Sequence, residues 1–156
     1  MNLAKTYVPD KNTFRELLMK REGRINRLRY FKRNLLVLLI VFVEFLLAAI
    51  AFSEENGGTA RQMDIAYIII LIFGNYLMYC LDLRRMYDLG LARAKELALG
   101  LFVLSVIHVG INFSPLAENP LATALSVVSS AACLYLLFAK GETGANQYGP
   151  DPLETA

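Results

Sequence analysis

The chain has 156 residues, of which 56% are hydrophobic and 19% are charged, and its formal net charge is +2. Soluble domains usually contain about 45–50% apolar and about 25% charged residues, so both deviations favour a membrane protein. The small net charge does not favour a nucleic-acid partner, and the two cysteines are too few for a disulfide framework.

The first predicted element precedes the apolar part of the chain. Thr13 and Glu16 have the spacing of a capping box, a pattern that opens helices. Leu17 and Leu18 fall on one face of this helix, and basic residues surround the rest. Gly23 is its expected end, because glycine readily adopts the left-handed conformation that terminates helices. The pattern predicts a short amphipathic helix lying on the membrane surface.

Four apolar runs dominate the rest of the chain: residues 35–52, 65–81, 97–113 and 121–138. A helix of 17 residues covers about 26 Å, which nearly matches a hydrocarbon core of about 30 Å. The runs lack the alternation of strands, and lipid leaves the backbone of an unpaired strand without hydrogen-bond partners. We therefore predict an all-α, polytopic membrane protein. A four-transmembrane-helix bundle occupies residues 35–138, next to the N-terminal interfacial amphipathic helix.

The distribution of Lys and Arg predicts the orientation of the bundle. Residues 1–34 contain ten of them, residues 82–96 contain four, and Lys140 follows the last apolar run. The opposite side of the predicted bundle has only Arg61. Because basic residues are retained on the cytoplasmic side, we expect both termini in the cytoplasm. Residues 1–34 then form a cytoplasmic basic segment, and residues 139–156 form a cytoplasmic Gly/Pro-rich tail.

The connection after the second apolar run begins with a charged helical pattern. We expect the second helix to continue through Leu89 and to end with Gly90 in the left-handed conformation. Arg84 and Asp88 are then neighbours at i,i+4, and Asp82 and Arg85 are neighbours at i,i+3.

Polar residues inside the predicted spans form a second group of candidates. Glu44 lies near the midplane, where an isolated acid costs about 2.5–3.5 kcal/mol. Asn75, Ser105 and His108 lie at depths within reach of it. Ser105, His108 and Asn112 share one helix face, which we expect to point into the bundle. The group is interpreted as a hydrogen-bonded packing layer, as a proton or ion relay through Glu44 and His108, or as a buried ligand or lipid site.

The Gly/Pro-rich tail is predicted to fold back onto the bundle. Tyr148 is a large amphipathic side chain between glycines and prolines that restrict the chain. Asp151 provides a carboxylate that an arginine at this end of the bundle can bind bidentately. We expect a carboxylate of Asp151 or Asp88 within hydrogen-bonding reach of one of these arginines. The residues of this predicted cytoplasmic constellation are Arg24, Arg27, Arg84, Arg85, Asp88, Asn146, Tyr148 and Asp151.

Three segments together resemble the domain-of-unknown-function 805 family of small bacterial membrane proteins. They are GRINRLRYF at residues 23–31, RRMYDLG at 84–90 and KGETGANQYGPDP at 140–152. The resemblance implies four spans in a bacterial inner membrane, and it implies no reaction. The family usually has His where this chain has Tyr87, and it usually has tryptophans that this chain lacks.

The sequence carries no glycine-rich phosphate loop, no spacing of metal ligands and no nucleophile elbow. We therefore expect no catalysis, no cofactor and no metal.

The leading hypothesis is an integral inner-membrane protein whose cytoplasmic face binds anionic phospholipid or a protein partner. One alternative is a small proton-coupled transporter or channel subunit that uses Glu44 and His108. Another is a membrane enzyme that acts on a phosphorylated lipid through the arginines and Asp88 of the constellation.

Overall fold

The computed structural model describes residue 11 and residues 13–53 and 56–153, and within these ranges its regular structure is helical. A short π-helix, Arg15–Met19, precedes four long helices: α1 (Arg27–Ala51), α2 (Ala60–Asp88), α3 (Ala94–Asn112) and α4 (Pro120–Phe138). All four are long and apolar enough to cross a membrane. The predicted all-α, four-span architecture is therefore confirmed. The beginning of the predicted basic segment, residues 1–10 and 12, and the last three residues of the tail lie outside the described residues.

The helices begin before the apolar runs because their first residues are set by capping residues. Asn26 caps α1, and its side chain accepts a hydrogen bond from the Arg29 backbone N–H at 2.9 Å. Thr59 caps α2 in a reciprocal capping box with Gln62. Such side-chain acceptors satisfy the backbone donors that the first turn of a helix leaves unpaired.

The end of α2 has the predicted glycine motif. Leu89 is the cap, and Gly90 follows with a φ of +69°. The Gly90 N–H donates to the Tyr87 carbonyl and the Leu91 N–H donates to the Met86 carbonyl, both at 3.2 Å. This pair of bonds is a Schellman motif, which a residue without a Cβ allows at low cost. The predicted end of the second helix is confirmed.

Of the four long helices, α2 has the most extensive contacts with its neighbours. Both α1 and α3 lie along it, α4 packs on α3 and also meets α1, and α1 and α3 therefore occupy opposite sides of the bundle. A Cβ at Gly74 would lie 2.7 Å from Val41 Cγ2, so the absence of one allows α1 and α2 to approach closely. Large apolar residues such as Leu47 and Val127 remain exposed on the outer faces, where a span contacts lipid.

The N-terminal helix is shorter than predicted. It comprises five residues and ends at Met19, with Lys20 as its cap, before Gly23. Half of the expected capping box is present, since Thr13 Oγ1 accepts a hydrogen bond from the Glu16 N–H at 3.4 Å. Leu18 is 0% exposed and belongs to the core of the bundle, which draws this segment onto α2 and limits its length.

Candidate functional site

One end of the bundle collects the ionic groups of the chain. The helices are antiparallel, so the starts of α1 and α3, the ends of α2 and α4, and the tail all meet there. We call it the basic end. Arg24, Arg85 and Asp88 are 2%, 0% and 3% exposed. Charges buried to this degree require partners, because removing an ion from water without compensation costs several kcal/mol.

Asp88 is shared by two guanidinium groups from different parts of the chain. Arg24 Nε donates to Asp88 Oδ1 at 3.3 Å, and Arg85 Nη1 donates to Asp88 Oδ2. We call these three residues the Asp88 cluster. The sequence predicted Arg84 as the neighbour of Asp88, whereas Arg84 Nη1 donates to the Glu16 carbonyl at 3.4 Å. Tertiary packing brings Arg24 to Asp88, and the i,i+3 spacing brings Arg85.

Arg24 also holds the tail. Its Nη1 donates to the Gly144 carbonyl at 2.6 Å and to the Gly149 carbonyl at 3.4 Å, and its Nη2 donates to the Glu142 carbonyl. A planar guanidinium with five donors can serve a carboxylate and several carbonyls at once. This arginine therefore ties the segment before α1 to the end of α2 and to the tail.

Arg85 binds the carbonyl groups at the end of α4, as Arg24 binds those of the tail. Its Nε donates to the Leu136 carbonyl at 2.8 Å, and its Nη2 donates to the Ala139 carbonyl. Its Nη1 lies 3.5 Å from the Ile25 carbonyl. The last carbonyls of a helix lack intrahelical donors, and a basic side chain at this position satisfies them.

The tail packs against α2 through an aromatic stack. The rings of Tyr87 and Tyr148 are stacked with centroids 4.2 Å apart and an interplanar angle of 21°. The Tyr148 hydroxyl donates to the Leu91 carbonyl at 2.7 Å, and Asn146 Nδ2 donates to the Tyr87 carbonyl at 3.0 Å. Tyr148 is therefore partly buried, and these contacts hold the tail across the end of α2.

Two residues of the predicted constellation have other roles. Asp151 is buried, but its carboxylate accepts hydrogen bonds from the backbone N–H groups of Gly144 and Leu153, each at 2.9 Å. The expected contact between one of the arginines and an Asp151 or Asp88 carboxylate is therefore made at Asp88 and not at Asp151. The tail folds into a tight turn, and its own N–H groups bind the Asp151 carboxylate. Arg27 is exposed in the first turn of α1, outside the Asp88 cluster.

The predicted layer of polar residues inside the spans is not formed as one unit. His108 Nε2 lies 2.9 Å from Ser126 Oγ, which itself donates to the Ala122 carbonyl at 3.1 Å. Glu44 Oε2 is buried and has no hydrogen-bond partner among the described residues. Glu44 and His108 do not form a hydrogen bond with each other, and their helices α1 and α3 lie diagonally across the bundle.

Asn75 and Ser105 lie on the wall of a polar cavity of about 270 Å³ between α2, α3 and α4. Asn112, expected in the interior with Ser105, is exposed, because it is the last residue of α3 and lies beyond the packed part of the helix.

Asp82 also lines this cavity, and it accepts a hydrogen bond from the Tyr30 hydroxyl at 2.7 Å. Sequence reasoning named Asp82 as a neighbour of Arg85 but not as a candidate site residue, whereas Arg85 binds Asp88. The available signal was an acid placed directly after an apolar run.

Comparison with known proteins supports the resemblance seen in the sequence. The model of the family described as Protein of unknown function (DUF805) matches residues 18–150. The chain belongs to this family. No curated protein and no solved structure gives a significant match.

In this DUF805 chain, the three segments that carry the resemblance meet at the basic end. Arg24 comes from the first segment, and Arg85 and Asp88 come from the second. The three carbonyls that bind Arg24 come from the third segment, whereas those that bind Arg85 come from the end of α4 and from Ile25. The acceptor carbonyls were missed from the sequence, since a backbone acceptor has no residue-type signal. Gly141 was the available hint, because a Cβ there would collide with the Asp88 carboxylate.

Proposed function

We propose that the protein is a multi-pass protein of a bacterial inner membrane, without catalysis, that binds anionic phospholipids at its basic end. One observation carries the proposal. Arg27 and Lys32 of α1 and Lys140 of the tail are exposed, whereas the guanidinium groups of Arg24 and Arg85 are already bound within the chain. The exposed cations, and not the buried ones, are therefore available to lipid headgroups.

The expected affinity follows from charge beside a membrane. A basic residue close to an anionic leaflet contributes about 1 kcal/mol of attraction, so several of them act together. The proposal includes the orientation that the excess of Lys and Arg predicts, with both termini and the basic end in the cytoplasm.

The two alternative functions have less support in the geometry. A lipid-phosphate enzyme would need the arginines of the Asp88 cluster to reach substrate, and their donors serve Asp88 and the chain's own carbonyls. A relay through Glu44 and His108 would need these residues to be hydrogen-bonded in sequence, whereas His108 contacts Ser126 and the helices of the two residues lie diagonally across the bundle. We therefore favour lipid binding over both.

Native mass spectrometry of the full chain in detergent tests the proposal. Phosphatidylglycerol and phosphatidylcholine with the same acyl chains are added separately, and bound lipids are counted. We expect the combined variant Arg27→Ala, Lys32→Ala and Lys140→Ala to retain less phosphatidylglycerol than the wild type. Arg61→Ala, which removes an exposed charge from the opposite end, is the control and should behave as wild type. Unchanged retention in the combined variant contradicts lipid binding and favours a protein partner.

A further inference from the structure

A cavity of about 720 Å³ opens at the basic end beside the Tyr87–Tyr148 stack. Its charged wall comes from two elements. Arg21 and Glu22 precede α1, and Lys95 and Glu96 belong to the first turn of α3. All four of these side chains are exposed, so each can meet a ligand without giving up a buried partner. The described residues thus supply two cationic and two anionic groups to one opening.

The rest of the wall is aromatic and apolar. Tyr79, Tyr87 and Tyr148 line the cavity together with Leu83 and Leu99. Tyrosines of this kind are typical of the level at which a membrane span meets the headgroup region. Leu99 is exposed and lies about one turn after Lys95 and Glu96 in α3, closer to the apolar part of the span. The cavity therefore has an ionic side towards the basic end and an apolar side towards the span.

Tyr87 adds a hydrogen-bonding group that the fold does not use. The residue is 5% exposed, and its ring is held by the stack on Tyr148. Its hydroxyl makes no hydrogen bond within the described part of the chain, whereas the Tyr148 hydroxyl is bound to the Leu91 carbonyl. A phenol at the wall of a cavity without a protein partner is a ready donor to an anionic oxygen.

We propose that this cavity binds one glycerophospholipid whose headgroup carries both a phosphate and a primary ammonium, as phosphatidylethanolamine does. The phosphate accepts hydrogen bonds from Arg21, Lys95 and the Tyr87 hydroxyl. The ammonium donates to the carboxylates of Glu22 and Glu96, and an acyl chain lies along the apolar side. The site shares no residue with the anionic-lipid surface formed by Arg27, Lys32 and Lys140.

The balance of charges selects this class of lipid. Two cations match the phosphate, but the two carboxylates beside them repel a headgroup that has only negative charge. Phosphatidylcholine is the sharpest competitor, because its quaternary ammonium is also attracted to aromatic faces. It has no N–H donors, however, and hydrogen bonds between a charged donor and a carboxylate are stronger than bonds between neutral groups. A primary ammonium is thus the better match to Glu22 and Glu96.

The test is native mass spectrometry of the full chain with phosphatidylethanolamine, phosphatidylcholine and phosphatidylglycerol of identical acyl chains. We expect wild type to retain phosphatidylethanolamine most tightly at a single site. Lys95→Ala should weaken that binding about tenfold, the effect of losing one charge-assisted contact. Arg93→Ala is the matched control, since it removes an exposed charge from the same connection outside the cavity. Tyr87→Phe should weaken binding by less, because the ring and its stack remain.

The outcomes separate this proposal from the anionic surface. The combined variant of Arg27, Lys32 and Lys140 should keep its phosphatidylethanolamine site, and Lys95→Ala should keep its phosphatidylglycerol retention. Glu96→Gln should reduce the preference for phosphatidylethanolamine over phosphatidylcholine while the melting temperature stays near that of wild type. Equal retention of the three lipids by wild type overturns the proposal. Equal losses in Lys95→Ala and Arg93→Ala overturn it as well, whatever the result for the anionic surface.

Discussion

Replacing Asp88 by Asn is the most informative perturbation of the basic end. Asp88 is the carboxylate that Arg24 and Arg85 share, and each arginine binds a different oxygen. An Asn side chain keeps the shape but has only one acceptor oxygen, so its NH₂ group must face one of the two guanidinium groups. The remaining donors of both arginines already bind carbonyls of the tail and of α4, and these bonds do not compensate the lost charge.

The magnitude follows from the burial of the three groups. Removing one partner of a buried ion pair costs about 3–5 kcal/mol, because the other charge stays out of water uncompensated. Asn retains one hydrogen bond, so we expect the lower end, about 3 kcal/mol of the free energy of unfolding. Asp64→Asn is the control, because Asp64 is an exposed acid near the start of the same helix. Its expected effect is within about 1 kcal/mol.

Two measurements check this expectation in detergent. Urea or thermal unfolding followed by helical circular dichroism reports stability, and amide hydrogen exchange over residues 140–153 reports docking of the tail. We expect Asp88→Asn to lower stability and to speed exchange in the tail, whereas Asp64→Asn changes neither. A cycle with Arg24→Gln should give a coupling energy of about 0.5–3 kcal/mol. A loss no larger than that of the control, with unchanged exchange in the tail, would refute the assigned role of the cluster.

Three further predictions follow from other contacts. Tyr148→Ala should release the tail and speed its amide exchange, whereas Tyr148→Phe, which keeps the stack on Tyr87, should lose only about 1 kcal/mol for its hydroxyl bond. Gly141→Ala should lower the melting temperature because the new Cβ meets the Asp88 carboxylate, while Gly100→Ala, with open space around it, should not. Glu44→Gln should fold and Glu44→Lys should not accumulate in membranes, as judged by immunoblotting, because no described acid or acceptor bonds to Glu44.

Features that depend on the polarity of a segment's surroundings, or on residues adjacent in the sequence, could be predicted from the sequence. The four spans were recognisable because hydropathy reports the surroundings of a whole segment, whatever its partners are. The end of α2 at Gly90 was recognisable because a helix cap is a local motif. The gathering of Arg24, Arg85, Asp88 and the tail at one end was also predicted, but the pairing among these residues was not. Asp88 binds Arg24, which lies 64 positions away, and Arg85, whereas Asp151 binds backbone N–H groups.

The sequence by itself determined that the chain spans a membrane, that it does so with four long helices, and which polar and charged residues need partners when they are buried. Only the tertiary structure decided which partners they found. Glu44 and His108 have similar predicted depths, but depth does not say which helices are adjacent, and α1 and α3 lie diagonally across the bundle. Arg24 and Asp88 meet because the segment before α1 and the tail fold over the end of α2. Hydropathy predicts only how deep a residue lies along the membrane normal, whereas a hydrogen bond requires two groups to be close in all three dimensions.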